Sequence, residues 1–205
     1  MTYGEFEHSI DVNAPHALSK FSDLFGRVFQ KGYTEEFKHI VILCVGTDRS
    51  TGDCLGPLIG HKLGLIRYRN VFVHGTLDEP VHAKNLCETI EYIHQNYQRP
   101  FIIAIDACLG KPERIGNIVI GQGALRPGAG VNKHLPPVGH IHIVGIVNLG
   151  GFMEYLILQN TRLSLVMRMA DTITNGIHYN LWKLFEYKES KEARERASVI
   201  EIKSD

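Results

Sequence analysis

Two carboxylates carry the first chemical suggestion in this sequence. Asp53 closes the segment Gly46-Thr-Asp-Arg-Ser-Thr-Gly-Asp53, and Asp106 follows the apolar run Phe101 to Ile105. Asp48 shares the first segment. Two carboxyl groups held close together do not both ionise easily, so one keeps a proton near neutral pH. Such a pair can act as base and acid on one water molecule. Two or three carboxylates with an imidazole can instead hold a divalent metal. Each residue also has a plainer structural role open to it. An Asp at a helix start is a natural N-cap, and an Asp after a strand is a natural turn former.

Whether the acids meet depends on the elements that carry them. Leu18, Phe21, Leu24, Phe25 and Val28 recur at three- and four-residue steps, which predicts a helix over Pro15 to Lys31 closed by Gly32. His39 to Val45 is a continuous apolar run, as in a strand buried on both faces. Gly46 to Gly56 reads as a Gly- and hydroxyl-rich loop, and Pro57 to Ile66 as a helix with Pro57 in its first turn. Val71 to His74 is a second strand. His82 to Tyr97 is a helix with Leu86, Ile90 and Ile93 in register. Phe101 to Ile105 is a third strand, ended by Asp106. Strands alternating with helices at this spacing predict βαβ units and a parallel sheet in this half. Sites in such sheets form beyond the carboxyl ends of the strands. If the first and third of these strands are neighbours, Asp53 and Asp106 converge there, and Asp48 can join them.

The second half reads differently. Gly116 to Gly121 is a strand, Gly121 to Pro137 a Gly/Pro-rich connection, and His140 to Val147 an alternating strand. Thr161 to Phe185 is a long helix with Leu163, Val166, Met167, Ala170, Ile173 and Ile177 on one stripe. The charged stretch from Lys188 to Asp205 reads as a solvated helix or frayed end. The expected organisation is one α/β domain over 1–187 and a charged tail or helix over 188–205.

Several further residues are candidates for binding. His140 and His142 alternate on one strand and so face one way, as a ligand pair or as two half-exposed strand histidines. Arg49, beside Asp48 and Asp53, can hold a substrate carboxylate or remain solvated. Thr47 and Asn148 are polar side chains close to the proposed strand ends. Gly150, followed by Gly151, lets a backbone approach a ligand closely. Glu154 and Arg162 flank an apolar segment and suggest an internal ion pair. The loop from Arg126 to Gly130 can gate a substrate or be a surface loop.

Composition narrows the classes. The chain has 205 residues, 22 Lys and Arg against 22 Asp and Glu, and 44% hydrophobic residues. Such a length favours a single domain with a core that needs no staples. A formal charge of zero argues against a whole-protein basic field for nucleic acid or membranes. Cys44, Cys54, Cys87 and Cys108 are widely spaced with no Cys-x-x-Cys pair, so neither a disulfide framework nor a zinc ribbon is indicated. Met1 to Asp11 has no apolar run and is not read as a secretory signal. The run Ile40 to Val45 is far too short to span a bilayer. The default is a reduced, soluble, cytoplasmic protein. No G-x-S-x-G or H-E-x-x-H occurs. The Gly46 loop lacks the Lys of a phosphate loop, and no G-x-G-x-x-G follows a strand.

The segment Gly46 to Pro57, with Ile105-Asp106-Ala107, Gly145-Ile-Val-Asn-Leu-Gly-Gly-Phe-Met-Glu154 and Leu158-Gln-Asn-Thr-Arg162, resembles the YyaC-type sporulation proteins. The resemblance covers about Val41 to Thr174. It implies a spore-associated protease in the developing spore compartment, with a three-layer α/β/α fold around a mainly parallel or mixed sheet. Asp53-Cys-Leu-Gly-Pro57, Ala104-Ile-Asp106-Ala107 and Arg126-Pro-Gly-Ala-Gly-Val131 are similar to the germination proteases, atypical aspartic endopeptidases. Their two essential aspartates match Asp53 and Asp106. The frame Gly46 to Gly56 is also similar to hydrogenase maturation endopeptidases. Their metal-binding acids match the same pair, and their third ligand is a His after a later strand. Here Asn148 lies near that place, with His140 and His142 a few residues earlier.

Three functions are therefore expected. The first is a peptidase-like hydrolase without a cofactor. In it Asp53 and Asp106 activate water, Asp48 or Asn148 assists, and backbone N–H groups of the Gly-rich loop hold the oxyanion. The second is an inactive sporulation factor that binds a peptide or protein partner. The third adds a divalent metal held by Asp53, Asp106 and His140 or His142.

Overall fold

The computed structural model describes residues 8–127 and 135–202, with side chains through residue 186. Six strands and five helices follow one another as β1 (His8–Asp11), α1 (Ala17–Gly32), β2 (His39–Cys44), α2 (Leu55–Gly64), β3 (Val71–His74), α3 (Leu86–Asn96), β4 (Pro100–Gly110), β5 (Asn117–Gln122), β6 (Ile141–Leu149), α4 (Glu154–Gln159) and α5 (Leu163–Ile202). The strands form one sheet in the order β1-β5-β6-β4-β2-β3. β3, β2, β4 and β6 are parallel neighbours, whereas β5 runs antiparallel to β6 and to β1. The sheet is thus mixed, with its parallel part at the centre.

Alternation along the central strands divides their side chains between two cores. Ile40, Ile42 and Cys44 of β2 and Phe101, Ile103 and Ile105 of β4 pack with Phe21 and Phe25 of α1, Leu55 and Ile59 of α2, and Met169 and Ile173 of α5. Val41 and Leu43 of β2 and Ile102 and Ala104 of β4 pack on the other face with Leu86 and Ile93 of α3. Helices on both faces explain why β2 and the start of β4 read as continuous apolar runs. The result is the three-layer α/β/α arrangement that the family resemblance implies.

Details differ from the sequence reading. Leu18 of α1 and Leu163 of α5 lie outside the core, at 45% and 56% exposure. Phe29 and Met169 are buried in their helices instead, because the packed face is rotated by a fraction of a turn. β1 and α4 carry no strong periodic signal and are findings of the structure. The backbone of α5 continues as helix to Ile202, through the region read as a tail. The charged side chains there lie outside the described residues, as does most of the loop that begins at Arg126.

Phe101 anchors one end of the sheet. It is fully buried, meets Phe29, Tyr33 and Phe37 edge-on at 4.9–5.6 Å, and stacks on His140 at 5.1 Å. Phe101→Ala is expected to cost about 3–5 kcal/mol by leaving a cavity among these rings. Urea unfolding with an unchanged slope would measure it.

Candidate active site at the strand ends

The chain leaves β2 through α2 to β3 on one side, then returns through α3 to β4 on the other. α2 and α3 cover opposite faces of the sheet. The strand order therefore reverses between β2 and β4, the place where α/β sheets bind ligands beyond the carboxyl ends of their strands. Asp53 lies in the segment after β2, and Asp106 lies on β4 beside it.

Asp53 is held by a tightly bonded loop. The Val45 N–H donates to Ile105 O at 2.7 Å, the Thr47 N–H to Asp53 O at 3.2 Å, and the Cys54 N–H to Ser50 O at 2.9 Å. The Gly52 N–H donates to Leu158 O at 2.8 Å, which ties the loop to α4. The helix-cap role open to Asp53 is not the one it takes. The cap position of α2 is Cys54, which makes no side-chain cap bond. Asp53 is half-buried, and its carboxyl group faces the Thr47 backbone N–H rather than capping α2.

Asp106 does not terminate its strand, contrary to the sequence expectation. β4 runs on to Gly110 because β6 continues beside it, pairing Asp106 with Val144, Ala107 with Gly145 and Cys108 with Ile146. β2 has already ended opposite Ile105. Asp106 thus stands on the face shared with Ala104 and α3, in the gap that β2 leaves. Its side chain is 8% exposed, and Oδ1 accepts the Ala107 N–H at 2.8 Å.

Burial sets the proton affinities of both acids. It raises the Asp106 carboxyl well above the aspartate range, and the charge of Asp53 adds to this. Burial raises Asp53 as well, while the charge of His82 and the Thr47 backbone N–H draw it back down. Asp53 is therefore the first of the pair to ionise. It does so beside a neutral Asp106, and its charge then opposes the second ionisation. The neighbouring Cys54 thiol is raised by burial and by the charges of Asp48 and Asp53, so it is no thiolate nucleophile.

Most of the other candidates are employed in holding the structure. The Thr47 hydroxyl accepts the Arg49 N–H at 3.3 Å and donates weakly to Asp48 at 3.4 Å. Asp48 and Arg49 are exposed. Asn148 Nδ2 donates to Ile157 O and to Thr161 Oγ1, both at 3.2 Å, and its Oδ1 accepts the Leu149 N–H. Asn148 thus fastens β6 to α4, rather than standing free for a substrate. The Gly150 N–H is taken by Gly110 O at 2.8 Å. Glu154 and Arg162 are not joined by an ion pair in the described structure.

The expected metal ligands do not assemble. His140 precedes β6, accepts the Ile102 N–H on Nδ1 at 3.0 Å, and packs against Phe37 and Phe101. Ile102 is four residues before Asp106 on β4, roughly 13 Å along the strand. His142 shares the Asp106 face but pairs with Ala104, and its Nδ1 bonds Gly123 O at 3.2 Å. Among the described residues, no three side chains of His, Cys, Asp and Glu gather to hold a metal ion. The residues present do not fit the third-ligand scheme, and no chemical step is derived through a metal.

His82 was not singled out by the sequence, which placed it only at the head of a helix. The helix begins later, at Leu86, and His82 belongs to the strap before it. Its charge reaches Asp53. A lone His in a strap belongs to no motif, so only the fold could bring it forward.

A doubly wound α/β sheet with an acid pair at its switch point is the class of protein that fold and site define. Residues 9–176 match a family described as "Protein of unknown function (DUF1256)", and the chain belongs to it. It is 56% identical over 140 residues to "Uncharacterized protein YyaC" of Bacillus subtilis (strain 168), covering 68% of each chain. Among solved structures it is similar to a [NiFe] hydrogenase maturation protease, HycI, from Thermococcus kodakarensis. That similarity has a TM-score of 0.44 at 17% identity over 73% of this chain and 98% of that one. No helix among the described residues is long and apolar enough to cross a membrane.

Proposed function

We propose that this protein hydrolyses peptide bonds, with Asp53 as base and Asp106 as acid, in the developing spore compartment. What supports this reading is that two carboxyl groups, both raised by burial and coupled through charge, stand at the strand-order reversal. A water molecule gives one proton to ionised Asp53 as its oxygen bonds to the peptide carbonyl carbon. Protonated Asp106 gives its proton to the amide nitrogen as the C–N bond breaks. The products are a carboxylic acid and an amine, and one proton passes from Asp53 to Asp106 to restore the pair. Exposed Phe152, Met153, Tyr155 and Leu156 around α4 offer apolar contacts for a peptide beside the Asp53 loop.

A peptide-library cleavage assay of wild type, Asp53→Asn and Asp106→Asn tests the reading. Wild type is expected to cut and both variants to fail. A wild type that cuts nothing would leave a binding protein without turnover. On a peptide that is cut, the rate should be bell-shaped in pH. It rises as Asp53 loses its proton and falls as Asp106 does. Because burial raises both groups, both limbs should lie above the range of an exposed aspartate.

A further inference from the structure

β4 outruns one of its two neighbours. β2 accompanies it as far as Ile105, where the Val45 N–H donates to Ile105 O at 2.7 Å. Along a strand between two parallel neighbours, residues bonded to one side alternate with residues bonded to the other. Ile102 O accepts the His140 N–H and Gly110 O accepts the Gly150 N–H, so the even-numbered residues of β4 bond towards β6. Ile105, Ala107 and Leu109 therefore direct their backbone groups to the β2 side. Had β2 continued, the Thr47 N–H would donate to Ala107 O, and the Leu109 N–H to Thr47 O. Instead the Gly46 N–H turns to Val81 O at 2.7 Å and the Thr47 N–H to Asp53 O at 3.2 Å. Ala107 O and both backbone groups of Leu109 are left with no partner among the described residues. Residues 107–110 are only half-buried, whereas Phe101 to Asp106 are buried. A strand edge of this kind is a template for another chain.

The remaining group of this edge ties it to the acid pair. The Ala107 N–H donates to Asp106 Oδ1 at 2.8 Å. The Asp106 carboxyl thus stands where the carbonyl of a neighbouring strand would stand, at the head of the open edge.

We propose that the substrate is an extended peptide segment, bound as a short added strand on the free edge of β4 from Ala107 to Gly110. This rests on the hydrolase reading above. An extended segment turns its N–H and C=O to one side at every second residue, the spacing of Ala107 and Leu109. A helical segment has those groups engaged within itself and cannot meet them. The edge has room for about four residues, at roughly 3.3 Å each. Its head adjoins Asp106, so the bound strand leads away from the peptide bond that is cut. Backbone bonding of this sort selects for an unfolded stretch or tail, and not for a particular side chain.

The test uses the full wild-type chain and a peptide that it cleaves. Copies of that peptide each carry one methylated backbone nitrogen, the scissile nitrogen excepted. The methyl group removes one N–H and places bulk against the edge. On one side of the cut, methylation at alternate residues should lower kcat/KM ~10-fold or more through KM. Methylation at the residues between them should change it less than about threefold, because their N–H groups face away from β4. Leu109→Pro removes the free N–H at a position where no ladder bond is lost. Its KM should exceed that of Leu109→Ala by about tenfold. Methylation effects without a period of two overturn the added strand and leave the hydrolase reading standing. So does a folded Leu109→Pro whose KM equals that of Leu109→Ala. A wild type that cuts no peptide overturns both.

Discussion

Asp106→Asn should abolish cleavage and at the same time stabilise the protein at neutral pH. The two effects have one cause. Asp106 is buried in the gap beyond β2, next to a group that ionises before it. The folded protein holds its proton, whereas the unfolded chain releases it near the usual aspartate range. A group raised in this way contributes stability fully below its unfolded pKa and loses it as pH rises toward the folded value. Asn has the shape and hydrogen-bonding pattern of the protonated acid, can still accept the Ala107 N–H, and cannot ionise. The Tm gain should therefore be clear at pH 7 and shrink toward zero as pH falls through the unfolded aspartate range. Loss of the proton donor should lower kcat/KM by ~10²–10⁴-fold. Calorimetry across pH and a cleavage assay on the same samples measure both. A variant that loses Tm at neutral pH would mean that ionised Asp106 has a stabilising partner.

Gly46→Ala should be among the most damaging small substitutions in the chain. Gly46 has φ of 143°, in the region that side chains rarely adopt. An added Cβ would lie 2.0 Å from Asp53 O and 2.9 Å from Pro57 Cδ. The first is main chain and the second is locked in a ring at the start of α2, so neither yields without moving the segment that holds Asp53. The expected cost is about 3 kcal/mol or more, combining backbone strain and overpacking. Folded molecules that remain should have Asp53 displaced and turn over poorly. Gly64→Ala at the end of α2 is the control. Its Cβ would meet nothing within 4 Å, so it should gain roughly 0.5–1 kcal/mol from helix propensity. Chemical denaturation of the pair separates crowding at the site from any general intolerance of alanine.

The sequence was most legible where a segment is buried on both sides or on one clean stripe. β2, β3 and the start of β4 are visible as apolar runs because helices cover both faces of the sheet. α1 is visible through Phe21, Phe25 and Val28. β1 pairs only with β5 at the sheet edge, so it carries little apolar pattern of its own. α4 was hidden because it buries none of its residues. The acids were legible only conditionally, because the sequence places each near a strand end while the pairing of β2 with β4 is what brings them to one edge. The end of β4 was misplaced because Asp106 has the composition of a turn. Its backbone nevertheless continues the ladder with β6, a partner far away in sequence. His140 and Asn148 were left open for a related reason. Sequence shows that a polar group exists, while only the fold shows that Ile102, Ile157 and Thr161 have already claimed it. His82 was missed because a bridge between Val81 and Val45, which no local spacing encodes, brings its strap beside the segment that carries Asp53.

The account depends on one physical claim, that Asp53 and Asp106 are close enough for one charge to hold the other's proton in place. Titration of ¹³C-labelled aspartate carboxyls by NMR, in wild type and in Asp53→Asn, tests it without any substrate. One carboxyl should titrate well above the aspartate range and be absent in Asp106→Asn. In Asp53→Asn that resonance should titrate at lower pH than in wild type, because the Asp53 charge is gone, yet stay raised by burial. An Asp106 carboxyl that titrates in the ordinary range, or one that ignores the loss of Asp53, would contradict the account.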